Sequence, residues 1–362
     1  MNKSALIGVV VTLLSLVSCG GNSNQIPSNI VLPGSTQSYL NAPTYAAGTE
    51  ELAAFQAINQ FRFSVGLGYW EQNILLDHAA ANHMYYSVSN QALVANPFQT
   101  DLEAQTINGT PTAGFTGITP SARGIAVGYY VLENIITAQN VPTAVVGELY
   151  STGSGVNAVN DMINTIYHRS GLMAQSTRQI GIARDTAGVA TADTHWWFNH
   201  GRLDAGQSMS SDYISQYPLN QQLGVPLSMT PEFPSVYSNQ TNFNFATMTS
   251  SPVSLTTAAI VNLSPQSFTV TPANSSTPLS GTIWTMSNDP NLNTNSNTTS
   301  INGLINPPPP APTIPANEVF WVGKAPFLPN TTYNVTFTGT TYLVPYGITN
   351  PITSTWSFTT GS

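Results

Sequence analysis

Histidine is scarce in this chain, with five among 362 residues, and only 7% of the residues are charged. Each imidazole set among charged or apolar neighbours is therefore a candidate for chemistry. His168 stands directly beside Arg169 in the stretch Asn164–Met173, NTIYHRSGLM. His78 and His83 are five apart, roughly 140° around a helix, so they cannot clamp one metal as an i, i+4 pair does. His195 and His200 bracket Trp196-Trp197-Phe198, and a five-residue spacing in a strand puts them on opposite faces. One of the two can approach a cleft, not both as ligands. Two acidic features sit in apolar or irregular surroundings: Glu133 in Leu132-Glu133-Asn134-Ile135, and the pair Asp101-Leu102-Glu103. The chain holds no His-Glu-x-x-His, no Gly-x-Ser-x-Gly and no P-loop, which sets aside the chemistries those motifs serve.

Periodicity indicates which elements carry these residues. Thr49 caps a helix that opens with Glu50 and Glu51, suited to its positive end. Leu52, Phe55, Ile58 and Phe61 form its apolar stripe, and Gly66-Leu67-Gly68 ends it. A second helix begins near Trp70, with Leu76, Ala79, Ala80, His83 and Met84 on one face. That pattern favours His83 as a core histidine with one satisfied nitrogen. Residues 90–129 read as a long packed loop entering a helix near Ser121. A helix from Asn157 to Ile166 precedes His168, and strands at 179–183 and 195–200 follow.

The start of the chain, MNKSALIGVVVTLLSLVSCGG, has a basic residue, an apolar run too short to span a bilayer, and then Cys19, the one cysteine present. This resembles the lipobox of bacterial lipoproteins, which implies a signal peptide over 1–18 and lipidation of Cys19. A membrane partner through that anchor, and an address at the outer membrane or cell surface, follow from the resemblance. Gly20 stands where inner-membrane retention signals usually place Asp. Residues 19–45, rich in Gly, Ser, Asn and Pro, read as a flexible tether. A formal net charge of −8 argues against nucleic acid as a partner.

Between 46 and 205 the order of motifs resembles the CAP superfamily (cysteine-rich secretory, antigen-five and pathogenesis-related-one proteins), in its disulfide-free bacterial branch. The matching stretches are Ile58-Asn59-Gln60-Phe61-Arg62 with Gly66-Leu67, Ala79 to Met84, Gly114-Phe115-Thr116-Gly117, Glu133-Asn134-Ile135, Tyr167-His168-Arg169 and Ile180-Gly181-Ile182. The resemblance implies an α-β-α sandwich with a cleft lined by two histidines and two acids. Carried over, Glu133 is the acid of the Glu-Asn motif and His168 the histidine after the third helix. The first cleft histidine is replaced by Asp101, while Glu103 remains. Glu148 and Asp161 are both candidates for the second acid. A Glu133–His168 pair would act with Glu133 as base and His168 as acid, or bind a divalent cation such as zinc or magnesium; loss of one imidazole favours harder ions. Arg169 is expected to pair with a structural carboxylate instead.

Residues 206–224 read as a linker. From 225 to 362 Lys324 is the one basic residue, and Thr, Ser, Asn and Pro dominate. Tyr333, Val335 and Phe337 alternate with polar residues, and Trp356 and Phe358 repeat the pattern. The stretch LPNTTYNVTFTGT with STWSFTTGS resembles bacterial Ig-like domains, so an all-β sandwich is expected here. The fold class is thus α+β, an α-β-α CAP sandwich followed by an Ig-like sandwich. Three functions remain open: a surface lipoprotein whose cleft binds a small ligand or a divalent cation beside a display or adhesion module, a hydrolase acting on an envelope or host polymer, and a structural envelope protein.

Overall fold

The computed structural model describes residues 31–93, 102–135, 139–185, 194–204, 206–292 and 313–362, with backbone alone for 133–135 and 139–141. The chain has a mixed α+β fold. In its first half the elements are α1 (Glu50–Ser64), β1 (Glu71–Gln72), α2 (Ile74–Ser89), β2 (Thr106–Ile107), β3 (Thr110–Pro111), α3 (Pro120–Ala126), β4 (Val131–Ile135), β5 (Gln139–Thr143), β6 (Val145–Thr152), α4 (Gly155–Ile163), α5 (Tyr167–Leu172), β7 (Gln179–Arg184) and β8 (His195–Arg202). Four of these strands form one sheet in the order β1-β7-β8-β6, with β1 parallel to β7 and the other pairs antiparallel.

Alternation along β8 sorts its side chains onto two faces. Trp196 and Phe198 join Phe55, Ile58 and Phe61 of α1 and Val159, Met162 and Ile163 of α4 in the main core. Trp197 turns the other way, to Ala80 of α2 and Ala183 of β7. Helices therefore cover both faces of the sheet. The Thr49 side chain accepts from the Leu52 N–H, so α1 starts at its predicted cap. Gly181 lets α2 press onto β7. A Cβ there would lie 2.0 Å from the Leu76 carbonyl carbon and 2.1 Å from the Asp77 nitrogen, both backbone atoms. Gly181→Ala is expected to force helix and strand apart and cost about 3 kcal/mol in chemical denaturation; an unchanged midpoint would mean that the contact yields freely.

The second half contains β9 (Ile214–Tyr217), β10 (Gln222–Val225), α6 (Phe245–Met248), β11 (Val253–Thr257), β12 (Val261–Pro272), β13 (Gly281–Trp284), β14 (Glu318–Gly323), β15 (Thr332–Leu343) and β16 (Ile348–Thr360). They make two four-stranded sheets, β10-β16-β15-β12 and β13-β14-β11-β9. Tyr333, Val335, Phe337, Trp356 and Phe358 from one sheet meet Val253, Leu255, Val319 and Trp321 from the other in a shared core. The polyproline stretch from Asn306 lies outside the described residues.

Two connecting segments differ from expectation. Residues 206–224 are built into the sheets: β9 pairs with β11, and β10 runs parallel to β16. Tyr217 also packs edge-on against Phe61 at 5.5 Å, so an apolar seam replaces the linker. The expected tether is strapped down from Leu32 onward. Ser35 bridges Ser208, the Leu32 N–H donates to Ser211 Oγ (2.7 Å), and the Gln37 N–H donates to Gln207 Oε1 (2.7 Å). Farther along, the Tyr45 hydroxyl donates to Asp77 Oδ1 (2.5 Å). Polar composition hid this docking because its bonds run through backbone, amide, hydroxyl and carboxyl groups that any loop also carries.

Arg169 binds the two halves together. It is fully buried, donates to the carbonyls of Ile163 and Pro252 and to Ser254 Oγ, and its guanidinium lies 4.6 Å from the Tyr217 ring centre. The expected carboxylate partner is thus replaced by carbonyls and a hydroxyl. Gln175 bridges to the Thr257 carbonyl and the Ala259 N–H. Ser170 donates to Glu318, whose burial pushes its carboxyl up to about 7.

Candidate functional site

Two polar constellations flank β6. The first is sealed between α2, the sheet and the loop before α3. His83 is fully buried; its Nδ1 lies 3.0 Å from Glu103 Oε1 and its Nε2 3.2 Å from Glu148 Oε1. Each ring nitrogen therefore faces a carboxyl oxygen. This corrects the single-partner core histidine: both nitrogens are engaged. Arg123 Nη2 donates to Glu148 Oε2 (2.9 Å), and the Asn199 amide donates to the same oxygen (2.7 Å). Glu103 also accepts from the backbone N–H groups of Thr116 (2.7 Å) and Gly117 (3.3 Å). The Gly-Phe-Thr-Gly stretch is therefore a backbone cradle for a carboxylate. Gly117 is needed because a Cβ would meet the backbone of Ala122 and Arg123 at 2.8 Å. Two carboxyl groups, a guanidinium and an imidazole, joined out of solvent, fix α2 and α3 to the sheet.

The second constellation opens to solvent. A cavity of about 500 Å³ is bounded by β6 from Glu148 to Thr152, by Asp161, Met162, Thr165 and His168 of the α4–α5 corner, and by the segment 230–234. His168 lines it, with its side chain 16% exposed. The carboxylate that meets this histidine is Glu232, from the second half of the chain: His168 Nδ1 lies 3.1 Å from Glu232 Oε2. The same carboxylate accepts from the N–H groups of Ile166 (2.9 Å), Tyr167 (3.0 Å) and His168 (3.4 Å), at the start of α5. Asn164 holds the approach, donating to the Ser228 carbonyl and to Thr230 Oγ1. The contact at Nδ1 fixes the orientation of the ring.

The predicted site residues thus separate. His168 and Asp161 line the cavity, Glu148 borders both constellations, and Glu103 lies in the sealed one. The Glu133 side chain, Asp101 and Cys19 lie outside the described residues; the Glu133 backbone sits in the β4–β5 hairpin opposite Val141. Asp161 is at the exposed rim, and desolvation against the wall raises its carboxyl, offset by a Thr230 hydrogen bond. Among the described residues no group of three or more His, Cys, Asp or Glu side chains is arranged to hold a metal. Sequence reasoning missed Glu232, Arg123 and the second partner of His83. Glu232 had one signal, being the only acid between Asp212 and Asp289. His195 and His200 do face opposite ways. The Tyr150 hydroxyl bonds to His195 Nδ1, while His200 stacks on Trp70 at 4.9 Å.

No family model matches the chain, and no curated protein matches it. Among solved structures it is similar to an outer surface protein from Borrelia burgdorferi, at 16% identity over 43% of this chain and 93% of that one, with a TM-score of 0.29. A likeness at that score carries no inference about fold or function. Among the described residues no helix is long and apolar enough to cross a membrane.

Proposed function

We propose that this protein is a lipid-anchored protein of the cell envelope, at the outer membrane or cell surface, and that it binds a small ligand or cation in the cavity beside β6. In this reading Cys19 carries the anchor, residues 46–205 form a CAP-type unit, and the β-sandwich is an Ig-like display or adhesion module. Helices on both faces of the first sheet and the two facing sheets of the second half support that arrangement. The observation that carries the binding role is the 500 Å³ cavity into which a carboxylate-oriented imidazole opens. Titration of the purified chain with zinc or magnesium is expected to give saturable binding that His168→Ala weakens at least tenfold, about 1.4 kcal/mol. Identical isotherms for both proteins would leave the structural envelope role instead. For the anchor, Cys19→Ala should move the protein from the membrane fraction to the soluble one.

The His168–Glu232 dyad also favours a second reading, a hydrolase in which His168 moves a proton at Nε2 while Glu232 holds the ring. Turnover of peptide or glycan libraries, lost in His168→Ala, would select it.

A further inference from the structure

The cavity's chemistry narrows its ligand. Of the described residues lining it, Glu148, Asp161 and Glu232 carry carboxyl groups, His168 is the one imidazole, and none is Lys or Arg. Tyr150, Tyr167, Trp197 and Phe233 add an aromatic face to the described wall. The charged hydrogen-bonding capacity is therefore biased to acceptors. Glu148 is neutralised by Arg123, and Glu232 is bonded to α5. Asp161 remains at the rim as a carboxylate with a hydroxyl partner in Thr230. His168 lines the same cavity, its Nδ1 3.1 Å from Glu232 Oε2.

Resting on the ligand-binding reading above, we propose that the cavity receives an organic cation, an ammonium group on an aliphatic stem. The ammonium is held by the Asp161 carboxylate at the rim, and the stem lies against the aromatic wall. An ammonium supplies three donors and no acceptor, which matches a carboxylate rim. Aromatic rings add cation–π attraction where the site is partly desolvated. A chain of formal charge −8 draws cations toward its surface. A cavity of about 500 Å³ is far larger than a bare metal ion needs, and suits a ligand with a stem.

The test is calorimetry on the full chain with putrescine, Nα-acetyl-lysine amide and vesicles containing phosphatidylethanolamine, beside 1,4-butanediol and succinate. Amine binding that weakens about tenfold or more in Asp161→Asn, as loss of a charge-assisted bond requires, and that falls with added salt supports the proposal. The three amines separate a free polyamine, a lysine side chain and a lipid headgroup as its source. Asp161 is exposed, so the variant is expected to fold; a matching thermal midpoint checks this. Binding of the diol or succinate alone, still lost in His168→Ala, would overturn the cationic ligand and leave the cavity a binding site. Amine binding equal in wild type and Asp161→Asn would overturn the assignment to this rim. Absence of binding by every probe, zinc and magnesium included, would overturn both readings.

Discussion

Acidification to pH 3 is expected to remove roughly 4–5 kcal/mol of native-state stability through one buried side chain, His200. This imidazole is enclosed between Trp70 and Gly147, where a Cβ on the glycine would stand 2.6 Å from Nε2. Burial, with a smaller contribution from the Arg62 charge, pushes its pKa down to about 3 from 6.5. The unfolded chain takes up a proton below 6.5 that the folded chain refuses until about 3. The stabilisation is thus complete above pH 6.5 and is lost as the pH falls from there to 3. Glu318 works in the opposite sense. Its carboxyl, raised to about 7 from 4.5, favours the folded state progressively as the pH drops from 7 to 4.5. The two effects offset one another near pH 5–6, and net loss sets in below pH 4.5. His200→Phe keeps a ring on Trp70 and removes the ionisation. Denaturation across pH 3–7 should show the variant taking up one proton fewer on unfolding. Equal slopes would mean that His200 is solvated in the native state.

Glu232→Ala is expected to cost about 3–5 kcal/mol, because it strips one carboxylate from four donors at once. The N–H groups of Ile166, Tyr167 and His168 and the imidazole Nδ1 all point to it. Glu232→Gln should cost about half as much, since one amide oxygen still accepts while its NH₂ faces donors. Urea denaturation of both variants reads the difference. A loss under about 1 kcal/mol for the alanine variant would show that water replaces the carboxylate, as at an exposed pair.

The sequence was most legible where local chemistry decides. Thr49 before two glutamates marked the start of α1, and alternation through Tyr333, Val335 and Phe337 marked a strand whose three apolar side chains are buried. It was least legible where contacts are long-range. Glu148 was a candidate acid, yet nothing near it announced β6, whose short apolar run is broken by Gly147 and Glu148. Glu232 meets His168 across 64 residues and a boundary between halves, beyond the reach of any local pattern. His83 looked like core because it is core; its second carboxylate becomes visible only when β6 is laid beside β8.

The docked segment from Leu32 onward would also limit the length of any leash to a membrane. If the acyl chains sit on Cys19, about a dozen residues separate them from the first bond among the described residues, the Leu32 N–H to Ser211. At full stretch that is roughly 40 Å, less than half the reach that about 26 free residues would give. The protein would then ride close to the bilayer, with the point where the strap begins turned toward it.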